Sequence, residues 1–294
     1  MAAEFVPTPS PYLVPFDGSF DVARAPTSPP SDGPGKKENQ EALERAVARL
    51  AKLQGKLWAD NRYSLLVIIQ ALDAAGKDGT LRAVMSGVNP AGCKVTAFKA
   101  PSAEELDHDF LWRCARELPE RGQIGIWNRS HYEEVLVVRV HPDYLRGQRL
   151  PNNTSDLEKL WSDRFQSIRD FEQHQALNGA VILKFWLNVS KDEQRDRLLE
   201  RIDEPDAHWK FNPGDLKERA RWDDYMHAYQ EALRATSRPW APWYAIPADS
   251  KSFMRRTVAD IIVDTLARLP IRYPEVDPEA LAEMKRLRAK LAEE

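Results

Sequence analysis

Five short apolar runs stand out along the chain, at 64–71, 93–99, 122–127, 180–188 and 243–247. Each of the first four is followed by apolar residues at the three- and four-residue spacing of an amphipathic helix. Ahead of them, Leu43, Ala46, Val47, Leu50, Leu53 and Leu57 predict a helix over 37–57. Nearly continuous apolar strands alternating with helices predict an α/β fold with a parallel sheet covered on both faces. Local signals sharpen the boundaries. Ser102, Ser155 and Ser190, each three residues before a glutamate, read as capping boxes, and Asn178-Gly179 reads as a helix stop before the fourth strand.

The two ends differ from this middle. Pro7-Thr-Pro-Ser-Pro11 and Ser28-Pro-Pro-Ser-Asp-Gly-Pro34 preclude regular structure in the first 35 or so residues. Phe5, Tyr12, Leu13, Val14, Phe16 and Phe20 interrupt that polar stretch. They predict an extended arm packed on the body or on a neighbouring subunit, with simple disorder as the alternative. The last segment, 277–294, is an Ala/Leu/Lys/Glu helix. The organisation read from the chain is an arm at 1–36, a main domain at 37–272 and a terminal helix at 273–294. The 294 residues allow one large domain or two small ones.

Composition narrows the function classes. A formal net charge of -3 argues against a protein that mainly coats nucleic acid. Cys93 and Cys114 have no metal-ligand spacing and read as inert thiols in a reducing cytoplasm, with a single disulfide between them as the alternative. No apolar run reaches membrane-spanning length, and no basic segment followed by an apolar stretch opens the chain.

Candidate chemistry sits at three places. The first apolar run feeds Asp73-Ala-Ala-Gly-Lys77-Asp-Gly-Thr80 and then a helix. Backbone N–H groups at such a helix start, with the helix dipole, form a phosphate cradle. The loop departs from G-x-x-x-x-G-K-[ST] at Ala71 and Asp78. Lys77 supplies a positive charge, Ala74-Ala75-Gly76 leaves room for close backbone approach, and Asp73 suits a Mg²⁺ that bridges phosphates. An ordinary strand-to-helix turn is the alternative. The second place is Asn128-Arg129-Ser130, just beyond the third strand, with Glu133 one turn on. Ligands of doubly wound sheets bind beyond the carboxyl ends of the strands, which sets these residues near Lys77. Arg129 carries the planar fork that holds phosphate oxygens, or else a structural ion pair. His131 reads as structural. The third place is the charged helical stretch 190–222, in which Arg197 and Arg201 share one face. It is either a solvated surface or a lid that closes on phosphates.

At these residues the chain resembles the polyphosphate kinase 2 family. The matching motifs are Gln70-Ala-Leu-Asp-Ala-Ala-Gly-Lys-Asp-Gly-Thr80, Asn128-Arg-Ser-His-Tyr-Glu133 with Val135-Leu-Val-Val-Arg139, and Ser190-Lys-Asp-Glu-Gln194. Trp209-Lys-Phe211, Trp222-Asp-Asp-Tyr225 and Ala241-Pro-Trp-Tyr-Ala-Ile-Pro-Ala248 also match, so the likeness spans about 40 to 270. The resemblance implies a P-loop kinase fold similar to thymidylate kinase: a five-stranded parallel sheet, flanking helices and a helical lid. It implies transfer of the terminal phosphoryl group of inorganic polyphosphate to a nucleotide, with Mg²⁺ and without a covalent enzyme intermediate. The family's loop lysine, loop aspartate and second-motif arginine match Lys77, Asp73 and Arg129, and its lid arginines match Arg197 and Arg201. Asp73 and Asn128 are the metal positions so implied. Ala74, Ala75, Gly76, Asp78, Gly79, Thr80 and Glu133 complete the binding set. Many relatives carry Asp where this chain has Asn128. The Asn-Arg-Ser-His-Tyr-Glu form resembles the class III subgroup, which acts on both AMP and ADP. Relatives often associate, so a homo-oligomer is expected. An ATP-dependent nucleotide kinase and a non-catalytic nucleotide- or polyphosphate-binding module stay open beside this reading. A regulatory GTPase fits poorly, because the chain has no Asn-Lys-x-Asp motif.

Overall fold

The computed structural model describes residues 5–151 and 156–293. In chain order the principal elements are α1 (Lys36–Asp60), β1 (Ser64–Gln70), α2 (Lys77–Val84), β2 (Cys93–Ala97), β3 (Ile124–Asn128), α3 (Leu157–Leu177), β4 (Ala180–Asn188), α4 (Lys191–Asp203), α5 (Gly214–Ala220), α6 (Trp222–Thr236), β5 (Trp243–Pro247), α7 (Lys251–Arg268) and α8 (Pro278–Ala292). All five predicted strands form. They pair in parallel in the order β2-β3-β1-β4-β5.

Central strands are buried on both faces, as their unbroken apolar sequence requires: every residue of β1 and β5 is buried. One face packs Leu43, Leu50 and Leu57 of α1 with Val258, Ile262 and Leu266 of α7. The other packs Trp161, Phe165 and Ile168 of α3 with Tyr229 and Leu233 of α6. Strand β2 departs from the expectation of two covered faces. It is an edge strand, and Val95 is 60 % exposed. It also ends at Ala97 instead of 99, and β3 runs 124–128 instead of 122–127, because Gly122 makes the preceding turn with a left-handed φ of +80°.

The N-terminal arm packs on the body. Val14 N–H donates to Trp243 O and Ala245 N–H donates to Tyr12 O, at 2.9 and 2.8 Å, so the arm covers the outer edge of β5. An uncovered edge would template pairing with other chains. Tyr244 Oη donates to Thr8 O, and Val14 is fully buried. Of the capping boxes, Ser102–Glu105 forms in both directions. Ser155 lies outside the described residues, and the cap of α3 is Asp156, which accepts from Lys159 N. Ser190 caps Glu193 N, but the Glu193 carboxylate turns to Arg197 instead of back to the cap. Asn178 ends α3 as expected, with Gly179 at φ +95°. Both cysteines are free thiols. No helix among the described residues is long and apolar enough to cross a membrane.

Candidate active site

β1 and β3 are neighbours, and Ile69 aligns with Asn128. The chain therefore leaves both strands at one point, at the switch in strand order where such sheets bind ligands. Backbone strain marks the place: Ala74, Gly76 and Arg129 all hold left-handed conformations, at φ +63°, +102° and +65°. Non-glycine residues persist in that region only when their surroundings impose it. Arg129 N–H donates to Ile69 O at 3.1 Å, which fixes the turn after β3 against the end of β1.

Gly76 is the N-cap of α2, so the first N–H groups of that helix, at Lys77, Asp78 and Gly79, have no carbonyl partner within the helix and point back into the loop. Lys77 Nζ donates to Ala71 O at 2.8 Å and Leu72 O at 3.1 Å, and lies 4.0 Å from Asp73. Burial pushes the lysine pKa down, and the Asp73 carboxylate opposes that shift. Ala75 is fully buried, and its N–H donates to Leu72 O within the loop. Thr80 is fully buried, and its hydroxyl donates to Gly76 O at 3.0 Å, as an interior helix threonine does. A Cβ on Gly76 would lie 3.1 Å from Met254 Cε and would have to adopt the strained φ. Gly76→Ala is expected to cost about 1–2 kcal/mol of stability, readable by urea denaturation, and to lower turnover as the loop shifts.

Arg129 bridges two acids. Nη2 lies 2.9 Å from Asp73 Oδ1 and Nη1 lies 3.3 Å from Glu133 Oε2. Glu133 holds the guanidinium pKa above its ordinary value, against burial. Burial pushes the Glu133 carboxyl up, against the pull of Arg129 and Lys77. Asn128 Nδ2 donates to Asp78 Oδ1 at 2.6 Å, which ties the end of β3 to the first turn of α2.

The lid segment is helical: α4, a 3-10 turn over Pro205–Lys210, and α5. Its two arginines have different surroundings. Arg197 is 5 % exposed and spends its fork on backbone carbonyls, Nη1 on Ala75 O at 2.9 Å and Nη2 on Ala248 O at 2.7 Å, with Nε on Glu193. It braces the phosphate loop against the end of β5. Arg201 pairs with Asp215 of α5 at 3.1 Å. Gln194 Nε2 donates to Asp73 O at 3.0 Å, so α4 is tied to the loop at two points.

These groups line one cleft of about 560 Å³, which holds Lys77, Arg129, Arg197 and Arg201 together with Asp73, Asp78 and Asn128. Three further bases line it that the sequence reading did not single out: Arg82 of α2 and Lys251 and Arg255 of α7. The one available signal was positional, since Lys251 opens the helix after the last strand and strand ends converge. Among the described residues Arg255 Nε is buried without a hydrogen-bond partner. A second cavity of about 570 Å³ meets the first at Arg129 and is walled by Glu133, Phe98, Leu106, Val137, Val138 and Tyr144. His131 is 1 % exposed, away from the cleft and 3.4 Å from Glu172.

A five-stranded parallel sheet with a glycine-lysine phosphate loop at its switch point and a helical lid defines a P-loop kinase. The family model described as Polyphosphate kinase 2 (PPK2) matches residues 34–272. The chain belongs to this family. It is 51 % identical to an ADP-polyphosphate phosphotransferase of Rhodopseudomonas palustris over 271 residues, 92 % of this chain and 94 % of that one. It is 44 % identical to an AMP/ADP-polyphosphate phosphotransferase of Meiothermus ruber, over 92 % of this chain and 97 % of the relative. The crystal structure of Polyphosphate Kinase 2 from Arthrobacter aurescens TC1 superimposes with a TM-score of 0.86 at 39 % identity, covering 100 % of this chain and 99 % of that one.

Proposed function

We propose that this protein transfers the terminal phosphoryl group of inorganic polyphosphate to ADP and to AMP, and runs the reaction in both directions. The observation that carries the reading is the pair of cavities meeting at Arg129. One is lined by seven bases, Lys77, Arg82, Arg129, Arg197, Arg201, Lys251 and Arg255, against five acids, Asp73, Asp78, Glu200, Glu204 and Asp215, and its excess of bases suits a polyanion. The other is walled largely by apolar side chains and suits a nucleoside. ADP is named for both relatives quoted above and AMP for the second alone.

Phosphoryl transfer asks a protein for positioning and charge neutralisation more than for covalent chemistry. Lys77 and the N–H groups at the start of α2 hold phosphate oxygens of the donor or acceptor. Arg129, at the junction, is placed to stabilise the charge that spreads over the group in flight. Arg201 and the bases of α2 and α7 hold the rest of the polyanion, while Arg197 keeps the loop in shape. The attacking phosphate oxygen is already ionised near neutral pH, so the site needs no dedicated base. Asp73 and the Asn128 carbonyl offer the hard oxygen donors that Mg²⁺ takes, and both line the polyanion cleft. No group of three or more His, Cys, Asp and Glu that could hold a metal is found among the described residues. That suits Mg²⁺, which binds through one or two carboxylates and completes its shell with phosphate oxygens and water. Bound there, the ion would neutralise phosphate charge.

The test is purified protein with ADP or AMP and either polyphosphate or ATP as donor. ATP formed from ADP and polyphosphate, and abolished by EDTA, is the expected result. Transfer to AMP from ATP alone overturns the donor assignment, and no turnover with either donor leaves a binding module.

A further inference from the structure

The terminal helix α8 is used by nothing described so far. From Arg272 to Glu293 every residue is exposed, so the helix stands off the body without a packed face. A fifteen-residue helix sits at the edge of what is stable alone in water, where most helical stability comes from packing an apolar face. It has such a face. Ala280, Met284, Leu287 and Leu291 follow heptad spacing, with Leu281 beside them. Leu281, Met284, Leu287 and Leu291 are 45–69 % exposed.

The charges indicate what covers this face. Asp277, Glu279 and Glu283 occupy the first half, and Lys285, Arg286, Arg288 and Lys290 the second, with Glu293 and Glu294 just beyond them. Over 277–294 five acids face four bases, a balance unsuited to an anionic membrane or nucleic acid. The same segregation makes the helix complementary to itself when reversed. We propose that α8 pairs antiparallel with α8 of a second copy of this chain. In heptad register Met284 then meets Leu287 of the second copy, Ala280 meets Leu291, and Glu283 faces Lys290 twice by symmetry. A parallel pair would set Glu283 against Arg288 instead, so Lys290 takes part only in the antiparallel form. Within one chain Glu283 lies 3.5 Å from Arg286, an exposed pair that constrains it little. Two helices about 22 Å long cover less than a standard interface, so the association is concentration-dependent.

Sedimentation velocity of the full chain, from about 1 to 100 µM, tests this. Wild type is expected to gain mass with concentration beyond the Met284→Gln/Leu287→Gln variant, whose helix propensity is little changed. Glu283→Lys and Lys290→Glu are each expected to lose that step, and a mixture of the two to regain it. Identical mass for wild type and the double glutamine variant at every concentration overturns the pairing. Retained association in Lys290→Glu alone overturns the antiparallel register, because a parallel pair sets Glu283 against Arg288. Turnover is expected to be unchanged in all of them, which separates this result from the catalytic reading.

Discussion

Arg129→Ala is expected to lower turnover of ADP with polyphosphate by about 10³-fold, close to 4 kcal/mol of transition-state stabilisation. The side chain stands where the two cavities meet and reaches Asp73 with one arm and Glu133 with the other. Its backbone is held by Ile69 O, so the guanidinium is aimed by the sheet instead of by a flexible loop. Arg129→Lys is expected to recover little. An ammonium is a point charge and cannot span Asp73 and Glu133 while offering two parallel donors to a phosphoryl group. Steady-state kinetics with the thermal midpoint measured alongside checks both. A folded Arg129→Ala protein with near wild-type rates removes the residue from the site.

The second large effect concerns stability. On the far side of the turn that carries Arg129 and Glu133, Lys184 of β4 is fully buried and bonded to Glu172 of α3 at 2.6 Å, to Tyr132 Oη at 2.8 Å and to Thr236 O at 2.9 Å. Tyr132 Oη donates in turn to Glu172 Oε1. Burial pushes the Lys184 pKa down to about 8, against the pull of Glu172. Burial pushes Glu172 up, but Lys184 and His131 outweigh it and leave the carboxyl below its ordinary value. Lys184→Met leaves Glu172 charged without its partner, an outcome that costs about 3–5 kcal/mol in buried pairs. A fall of about 10 °C in the thermal midpoint is expected. Adding Glu172→Gln is expected to restore most of it, because no uncompensated charge then remains. A double variant as unstable as the single one would show that Lys184 matters through its packing.

Lys184 also marks the limit of what the chain discloses. It sits inside the apolar run 180–188, and no local pattern says that its ammonium is answered from the preceding helix. Arg197 makes the same point. Helical spacing put it on one face with Arg201, yet the fold turns it onto the carbonyls of Ala74, Ala75, Ala248 and Asp249. Those acceptors come from the ends of β1 and β5, which are not neighbours in the sheet.

What the sequence alone determined is what short-range physics controls. Apolar runs of strand length alternating with helical periodicity place the five strands to within two residues and the helix ahead of them to within three. A small-residue loop with Gly76 and Lys77 at a helix start marks the candidate phosphate site, because cap geometry and the helix dipole are local properties. The motif order identifies the family. The tertiary structure decided which distant groups share a cleft: Arg82, Lys251 and Arg255 with Lys77 and Arg129, and the arm over the edge of β5. Such neighbours follow from the strand order β2-β3-β1-β4-β5, which is set by packing both faces of the sheet at once and by no single stretch of chain.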